Sequence, residues 1–257
     1  MPAPVNHFKK RLAKGDRMVG LWTAMCDPYA AEVTARAGFD WLVIDGEHAP
    51  NDIRSLAAQM QVVQPLCPAI IRLPMNEPWL IKQALDAGAQ TLLAPMINTA
   101  DEARAVVRAM RYPPDGIRGV AHPLGRCSHF GEITDYGTTA QDQLCLVVQV
   151  ESRASVENLE AILAVDGVDA ALIGPADLAA DLGYHRDMFH ADVQKVLAET
   201  LGRIRAAGKP AGIFEAREDA IQRHFDDGAQ FVGVGADVVM FSRLLRETSA
   251  KWKARIG

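Results

Sequence analysis

The stretch ARAGFDWLVIDGE (35–47) contains a joint between a helix and a strand that occurs four times in the chain. In each copy a helix-like segment ends at a glycine beside small or acidic residues, and a short apolar run follows almost at once. The other copies are LDAGAQTLLAPM (85–96), VDGVDAALIGPAD (165–177) and FDDGAQFVGVGAD (225–237). Glycine is the residue that most often takes the left-handed conformation after a helix end. Four such joints in one chain predict a fold built from repeated βα units.

Apolar runs of this kind occur eight times, with helix-like segments between them. The runs are continuous rather than alternating, as expected of parallel strands that helices cover. They are MVGLWTA (18–24), WLVIDG (41–46), PAIIRLP (68–74), TLLAPMI (91–97), LCLVVQVE (144–151), AALIGP (170–175), PAGIFE (210–215) and FVGVGAD (231–237). Eight strands in 257 residues predict one α/β domain, a TIM (β/α)8 barrel over residues 1–257. The alternative, a doubly wound sheet, lacks the expected G-x-G-x-x-G after its first strand.

Two further segments call for an interpretation within this barrel. Residues 111–143 contain three prolines and five glycines, and we interpret them as a long strand-four loop. Long ordered loops are usually functional, and loops after barrel strands lie on the C-terminal face, where active sites form.

The final segment, at about 238–256, is a predicted helix with Val238, Phe241 and Leu244 on it and Trp252 near its end. We expect this helix to be used in oligomerisation, with Trp252 as an interface anchor.

Composition excludes several classes of partner. The chain has 27 basic and 32 acidic residues, a net charge of −5 and no basic cluster, which argues against nucleic acid. The start, MPAPVNHFKK, lacks the apolar core of a signal peptide, and no window has the length and apolarity of a membrane span. The four cysteines are scattered without a C-x-x-C pair and indicate reduced thiols. We therefore expect a cytoplasmic protein.

Polar residues of complementary types follow several predicted strands. They are Asp45, Glu47 and His48 after strand two, Arg72 after strand three, Gln149 and Glu151 after strand five, and Asp177 after strand six. Each one alone is compatible with a solvated strand end or a salt bridge at the rim. Because the carboxyl ends of parallel strands meet at the mouth of a barrel, their convergence predicts an active site there.

Glu151 and Asp177 are the candidate metal ligands among these residues. They follow adjacent strands, and neither has a cysteine or a histidine beside it, so the site is rich in hard oxygen donors. Such a site suits Mg²⁺ or Mn²⁺, with Co²⁺ possible. The alternative is a carboxylate pair bridged by Arg72. Since no lysine falls at the C-terminal end of a predicted strand, a Schiff-base mechanism is excluded, and a carbanion would need a metal and an arginine.

Six segments resemble the signature segments of the class II 2-oxo-acid (pyruvate) aldolases, whose type members are 4-hydroxy-2-oxoheptanedioate aldolase and 2-dehydro-3-deoxyglucarate aldolase. They are WLVIDGEHAPND, IIRLP, LDAGAQTLLAPMI, RYPPDGIRGV, VVQVES and IGPADL, and the resemblance runs from about residue 18 to about residue 240. It implies a TIM barrel of the phosphoenolpyruvate/pyruvate type, a divalent metal, and a 2-oxo-acid and an aldehyde as substrates. It also implies a homo-hexamer built from dimers that swap helices.

The resemblance implies a role for each candidate residue. Glu151 and Asp177 would bind the metal, Arg72 would stabilise the enolate at the 2-oxo oxygen, and His48 would be the acid/base residue. Asp45 and Asp86 would orient His48 and shape the aldehyde site. The substrate-binding set would be Gln149 and the turn Gly174, Pro175, Ala176 and Asp177. Asp86 lies at a helix end far from any strand tip, so it would reach an active site only across a subunit boundary.

The function implied is a reversible aldol reaction between the enolate of pyruvate or hydroxypyruvate and an aldehyde. One alternative is a metal-free phosphosugar isomerase or epimerase that holds phosphate at the GVGAD turn (233–237). Another is a barrel that binds oxo-acids without turnover. The carboxylates after strands five and six favour the aldolase, and His48 and Arg72 count against a binding protein. After RGV the chain continues AHPLGRCSHF (121–130), which departs from the family pattern and affects the expected acceptor pocket.

Overall fold

Eight parallel strands close a barrel in chain order, and the last strand pairs with the first. This computed structural model describes residues 1–185 and 187–256. The strands are β1 (Met18–Thr23), β2 (Trp41–Asp45), β3 (Ala69–Arg72), β4 (Thr91–Ala94), β5 (Cys145–Val150), β6 (Ala170–Ile173), β7 (Ala211–Phe214) and β8 (Phe231–Ala236). The predicted TIM barrel is confirmed.

Most of the helices cover the outside of the barrel and connect successive strands, while the first precedes β1 and the last follows β8. They are α1 (His7–Lys14), α2 (Pro28–Ala35), α3 (Ile53–Val63), α4 (Pro78–Asp86), α5 (Ala100–Met110), α6 (Tyr136–Gln143), α7 (Arg153–Glu157), α8 (Leu159–Leu163), α9 (Pro175–Asp181), α10 (Ala191–Ala206), α11 (Glu218–Asp227) and α12 (Asp237–Ile256). The glycines of the four repeated joints all have positive φ angles, 92° at Gly38, 106° at Gly88, 98° at Gly167 and 109° at Gly228. The expected left-handed turns before the strands are therefore confirmed.

Aromatic rings fill the interior of the barrel towards its N-terminal end. The ring centroids of Trp22 and Trp41 lie 5.7 Å apart, and Phe231 packs 5.9 Å from Trp41. Phe8 of α1 enters the barrel at its N-terminal end and packs edge-on against Phe231, with the ring centroids 5.6 Å apart. A side chain at Gly20, on β1, would overlap the ring of Trp41. Because these rings fill the interior, a ligand does not enter the barrel from this end, and the mouth at the C-terminal ends of the strands is the expected place for an active site.

The long segment 111–143 does not lie where we expected. It follows α5 rather than β4, because the chain has already returned to the N-terminal end of the barrel along that helix. The segment forms two short 3₁₀ turns and α6, and it packs against the start of the chain. Thr139 Oγ1 accepts a hydrogen bond from the backbone N–H of Ala3 at 2.8 Å, and Gln143 Oε1 accepts one from Asn6 at 2.9 Å. The interpretation as a loop on the C-terminal face was therefore wrong.

The last helix, α12, leaves most of its apolar side chains exposed. Asp237 is its one buried residue in the described part of the chain. Phe241, Leu244 and Leu245 are each half exposed or more, and so is Trp252. No helix in residues 1–185 and 187–256 is long and apolar enough to cross a membrane.

Candidate active site

The turn after β2 brings three polar residues beside the end of β3. Asp45 and Arg72 are partners in the ladder between the two strands. The backbone N–H of Gly46 then donates to the carbonyl oxygen of Arg72 at 2.9 Å. A Cβ atom at Gly46 would lie 2.6 Å from that oxygen, so the close approach requires glycine. The chain therefore turns sharply and places Glu47 and His48 at the mouth.

Arg72 is held by two carboxylates. Its Nε donates to Asp45 Oδ1 at 2.8 Å and its Nη2 to Asp45 Oδ2 at 2.6 Å, while Nη1 lies 2.9 Å from Glu47 Oε2. The guanidinium is buried and its carbon lies 6.0 Å from the ring centre of Trp22. A guanidinium carries five N–H donors, so this arrangement fixes its position and leaves donors for a ligand.

His48 stands at the open side of this group. Its side chain is 65% exposed, and its Nε2 lies 3.9 Å from Glu47 Oε2. Asp45 contacts His48 through the backbone, because Asp45 Oδ1 accepts the His48 N–H at 3.3 Å. The carboxylate that faces the imidazole is thus Glu47, to which the sequence interpretation gave no role. The sequence signal that could have indicated this contact is that Glu47 directly precedes His48.

Glu151 is held rigidly on the other side of the mouth. Its Oε1 accepts the backbone N–H of Met96 at 2.6 Å, and its Oε2 accepts a hydrogen bond from Gln149. Met96 has a left-handed φ of 52°, the conformation in which its N–H faces Glu151. Gln149 Oε1 is buried and finds no partner among the described residues. A Cβ at Gly174 would lie 3.0 Å from Glu151 Oε2, so the turn after β6 closes tightly on this carboxylate.

Asp177 lies three residues after Gly174, in the first turn of α9. Its side chain is exposed, whereas Pro175 before it is buried and Ala176 is exposed. In the part of the chain that the structure describes, no hydrogen bond fixes its carboxylate. The carboxylate of Glu151 is therefore fixed by its neighbours, whereas that of Asp177 is not held by the described residues.

Negative charge is in excess at this mouth. Burial raises the pKa of Glu151, and the nearby Glu47 and Asp177 raise it further. Burial also raises the pKa of Glu47, although Arg72 and His48 oppose the shift. With Asp45, the mouth carries four carboxylates and one guanidinium, that of Arg72, a formal charge of −3. A bound cation would relieve this repulsion, which is the condition that a metal site requires.

The donor set fits a hard divalent cation. Within residues 1–185 and 187–256, no group of three or more histidine, cysteine, aspartate or glutamate side chains is arranged to hold a metal ion by itself. Glu151 and Asp177 thus offer two carboxylates and leave the other positions open, as is typical of Mg²⁺ sites. The alternative of a pair bridged by Arg72 is not observed, because the ion pairs of Arg72 are to Asp45 and Glu47.

Two other candidates lie outside this arrangement. Asp86 ends α4 and pairs with the buried Arg118 at 2.6 Å, away from the mouth of its own chain. At the GVGAD turn, a side chain at Gly233 would overlap Trp22, and Asp237 accepts the N–H of Ala24 at 2.8 Å. The glycine therefore serves packing, and the carboxylate of Asp237 would repel a phosphate.

Replacing Glu151 with glutamine is expected to raise the melting temperature of the metal-free protein at neutral pH. Folding raises the pKa of Glu151, so the folded state binds its proton more tightly than the unfolded state. The destabilisation is then absent below the ordinary glutamate pKa of about 4.3 and grows as the pH rises towards the folded value. Thermal unfolding from pH 4 to 8 in chelator should show a gap that widens with pH. A constant gap, or one also produced by Glu199→Gln on the exposed face of α10, contradicts this expectation.

Comparison with known proteins identifies the family. Residues 18–243 match the model of the HpcH/HpaI aldolase/citrate lyase family. The chain is 58% identical over 254 residues to a hydroxypyruvate/pyruvate aldolase of Roseovarius nubinhibens, covering 98% of this chain and 99% of the relative. It is 46% identical over 251 residues to a 4-hydroxy-2-oxo-heptane-1,7-dioate aldolase of Escherichia coli, covering 97% and 96%.

The solved structures agree with the sequence comparison. A crystal structure of an aldolase/citrate lyase family protein from Burkholderia cenocepacia superposes with a TM-score of 0.92 at 42% identity, covering 97% of this chain and 100% of that one. The expected class of enzyme, a carbon–carbon lyase, is confirmed by the family match. The chain belongs to the HpcH/HpaI aldolase/citrate lyase family.

Proposed function

We propose that the protein is a divalent-metal-dependent class II aldolase that joins the enolate of pyruvate or hydroxypyruvate to an aldehyde, reversibly. The observation that carries the proposal is a mouth with four carboxylates, two of which hold one buried guanidinium in place. A Schiff base is not available, because the eight lysines, all within the described residues, lie away from the C-terminal strand ends. They are Lys9, Lys10, Lys14, Lys82, Lys195, Lys209, Lys251 and Lys253.

Each residue at the mouth has a task in this reaction. Glu151 and Asp177 would hold the metal, which when bound polarises the 2-oxo group and acidifies the protons on the neighbouring carbon. Arg72 presents its free N–H donors where negative charge grows on the 2-oxo oxygen. His48, exposed and paired with Glu47, moves a proton between the reacting atoms and solvent.

The carboxylate and the 2-oxo group of the substrate need neutral hydrogen-bond donors beside the proposed metal ligands. Gln149 lies beside Glu151, and its neutral amide donates a hydrogen bond to that carboxylate. The turn Gly174, Pro175, Ala176 and Asp177 passes along the same side, and we assign it to the carboxylate of the oxo-acid. The names of the relatives support pyruvate or hydroxypyruvate as the donor, since the Roseovarius nubinhibens protein is named for both.

Loss of either proposed ligand is expected to weaken divalent-ion binding. Glu151→Gln and Asp177→Asn each remove one of two carboxylates, so Mn²⁺ affinity should fall by more than the roughly 10- to 100-fold typical of outer partners. Calorimetric titration with Mn²⁺ measures this, with Glu199→Gln as the matched exposed control. Wild-type affinity in either variant would remove that residue from the metal site.

A chelator separates this proposal from its alternatives. The aldolase loses activity in chelator and recovers it with Mg²⁺ or Mn²⁺, whereas a metal-free isomerase is indifferent. A protein that only binds oxo-acids has no turnover to lose. Asp237 at the strand-eight turn disfavours the isomerase, because a carboxylate stands where a phosphate would be held.

We propose further that the protein is a hexamer, or at least a dimer, through α12. The half-exposed apolar side chains of this helix support an interface, since monomeric proteins rarely expose large continuous apolar patches. Asp86 would then act only across a subunit boundary. Sedimentation velocity at micromolar concentration is expected to give an oligomer. A monomer would reject both the interface and a catalytic role for Asp86.

A further inference from the structure

A second cleft lies at the opposite end of the barrel from the mouth. It encloses about 560 Å³ between the N-terminal ends of β3 and β4, the segment before α1, and the 3₁₀ turn at Arg126. Its wall includes Pro4 and Leu66, which are apolar, and His7 and His129, which are exposed at the rim. A volume of this size is in the range of small-molecule sites, which is about 300–1,000 Å³.

Arg126 gives this cleft a charge that no neighbour compensates. Its Nη1 donates to two neutral acceptors, Gln64 Oε1 at 2.7 Å and the carbonyl oxygen of Ala87 at 3.2 Å. Its Nε and Nη2 find no acceptor, and the guanidinium forms no ion pair, within residues 1–185 and 187–256. Partial burial lowers the pKa of Arg126, but an arginine remains protonated at neutral pH.

The other titratable groups in the wall do not supply negative charge. No aspartate or glutamate lines the cleft among the described residues. Burial raises the pKa of Cys67 to about 12, and it also raises the pKa values of Cys127 and Tyr136. These three groups are therefore neutral at pH 7. The cleft is a positively charged concavity in a chain whose net charge is −5.

We propose that this cleft is a binding site for a small oxyanion, carried by an organic phosphate or a carboxylate, with Arg126 as its main contact. The free N–H donors of Arg126 match two oxygens of such a group. The imidazoles of His7 and His129 lie at the rim, where either contributes further attraction when protonated. The cleft is separate from the mouth of its own barrel, so this proposal does not rest on the proposed function.

Calorimetric titration of the whole protein tests this, with inorganic phosphate and acetate as probes in metal-free buffer of low ionic strength. We expect saturable binding of at least one probe to the wild type, weakened about 10- to 100-fold in Arg126→Gln. The exposed control Arg36→Gln, directly after α2, should leave binding unchanged. Equal affinity in wild type and Arg126→Gln overturns the proposal, because the anion then binds elsewhere, for instance at Arg72.

A second pair of variants keeps the test valid if Arg126→Gln does not fold. His129 is exposed with a φ of 52°, a conformation that aspartate and asparagine tolerate. His129→Asp adds a repelling charge at the rim and should weaken phosphate binding more than His129→Asn does. Equal binding by the two variants contradicts the proposal. So does the absence of saturable binding to the wild type, which would follow if another copy of the chain covers the cleft.

Discussion

Arg72→Lys is expected to slow the aldol reaction and the exchange of donor protons with solvent to a similar degree. Both reactions pass through the same enolate, and Arg72 is the fixed cation at the mouth. Loss of one oxyanion-type donor costs about 100- to 1,000-fold in turnover. Lysine keeps the charge but cannot reproduce the forked pairing with Asp45 at 2.8 and 2.6 Å, so it should recover only part of the loss.

Deuterium uptake into pyruvate, measured beside aldol turnover, tests the role of Arg72. The control is Arg36→Lys, the same change in an exposed ion pair at the end of α2, which should leave both rates unchanged. Circular dichroism must show a folded variant, since Arg72 is buried between two carboxylates. If Arg72→Lys exchanges donor protons at the wild-type rate, Arg72 does not stabilise the enolate.

His48→Ala is expected to reduce carbon–carbon bond formation and cleavage by about 100- to 10,000-fold, the range of a general acid–base residue. The 65% exposure of the imidazole indicates that it is not needed for packing, so the variant should fold normally. The imidazole stands at the open side of the mouth, 3.9 Å from Glu47, where it can pass protons between the reacting atoms and solvent. Proton transfer is then the function that the variant loses.

The exchange of donor protons assigns His48 to one half of the reaction. If His48 removes the donor proton, deuterium uptake falls together with aldol turnover. If it serves the alkoxide, uptake survives in part while turnover is lost. Glu199→Ala, on the exposed face of α10, is the control. Wild-type aldol turnover in His48→Ala would remove His48 from the mechanism.

The barrel and the strand-tip residues were predictable because local signals repeat. The glycines of the four joints, with Gly38 and Gly228 as the outer two, marked where helices end and strands begin. Once the strands were known, topology alone placed Arg72 and Glu151 at one mouth. These inferences needed only the order of elements and the direction of parallel strands.

The errors have physical causes that the sequence does not display. Segment 111–143 was predicted at the wrong end of the barrel because it was counted as the loop that follows strand four. The helix at residues 100–110 lies between them and returns the chain to the N-terminal end of the barrel. The role of Glu47 depends on the tight turn at Gly46, which decides which carboxylate faces His48. Met96 was missed because it acts through a backbone N–H, which every residue except proline carries.

The most direct test of the account is deuterium exchange into pyruvate by the wild-type protein without any aldehyde. The proposed site forms the donor enolate by itself, so the methyl signal of pyruvate should disappear from the proton spectrum in D₂O. Chelator should abolish this exchange, and Mn²⁺ or Mg²⁺ should restore it. Exchange that persists unchanged in thoroughly chelated protein, or its absence from a protein with aldol turnover on pyruvate, would contradict a metal-assisted enolate at this mouth.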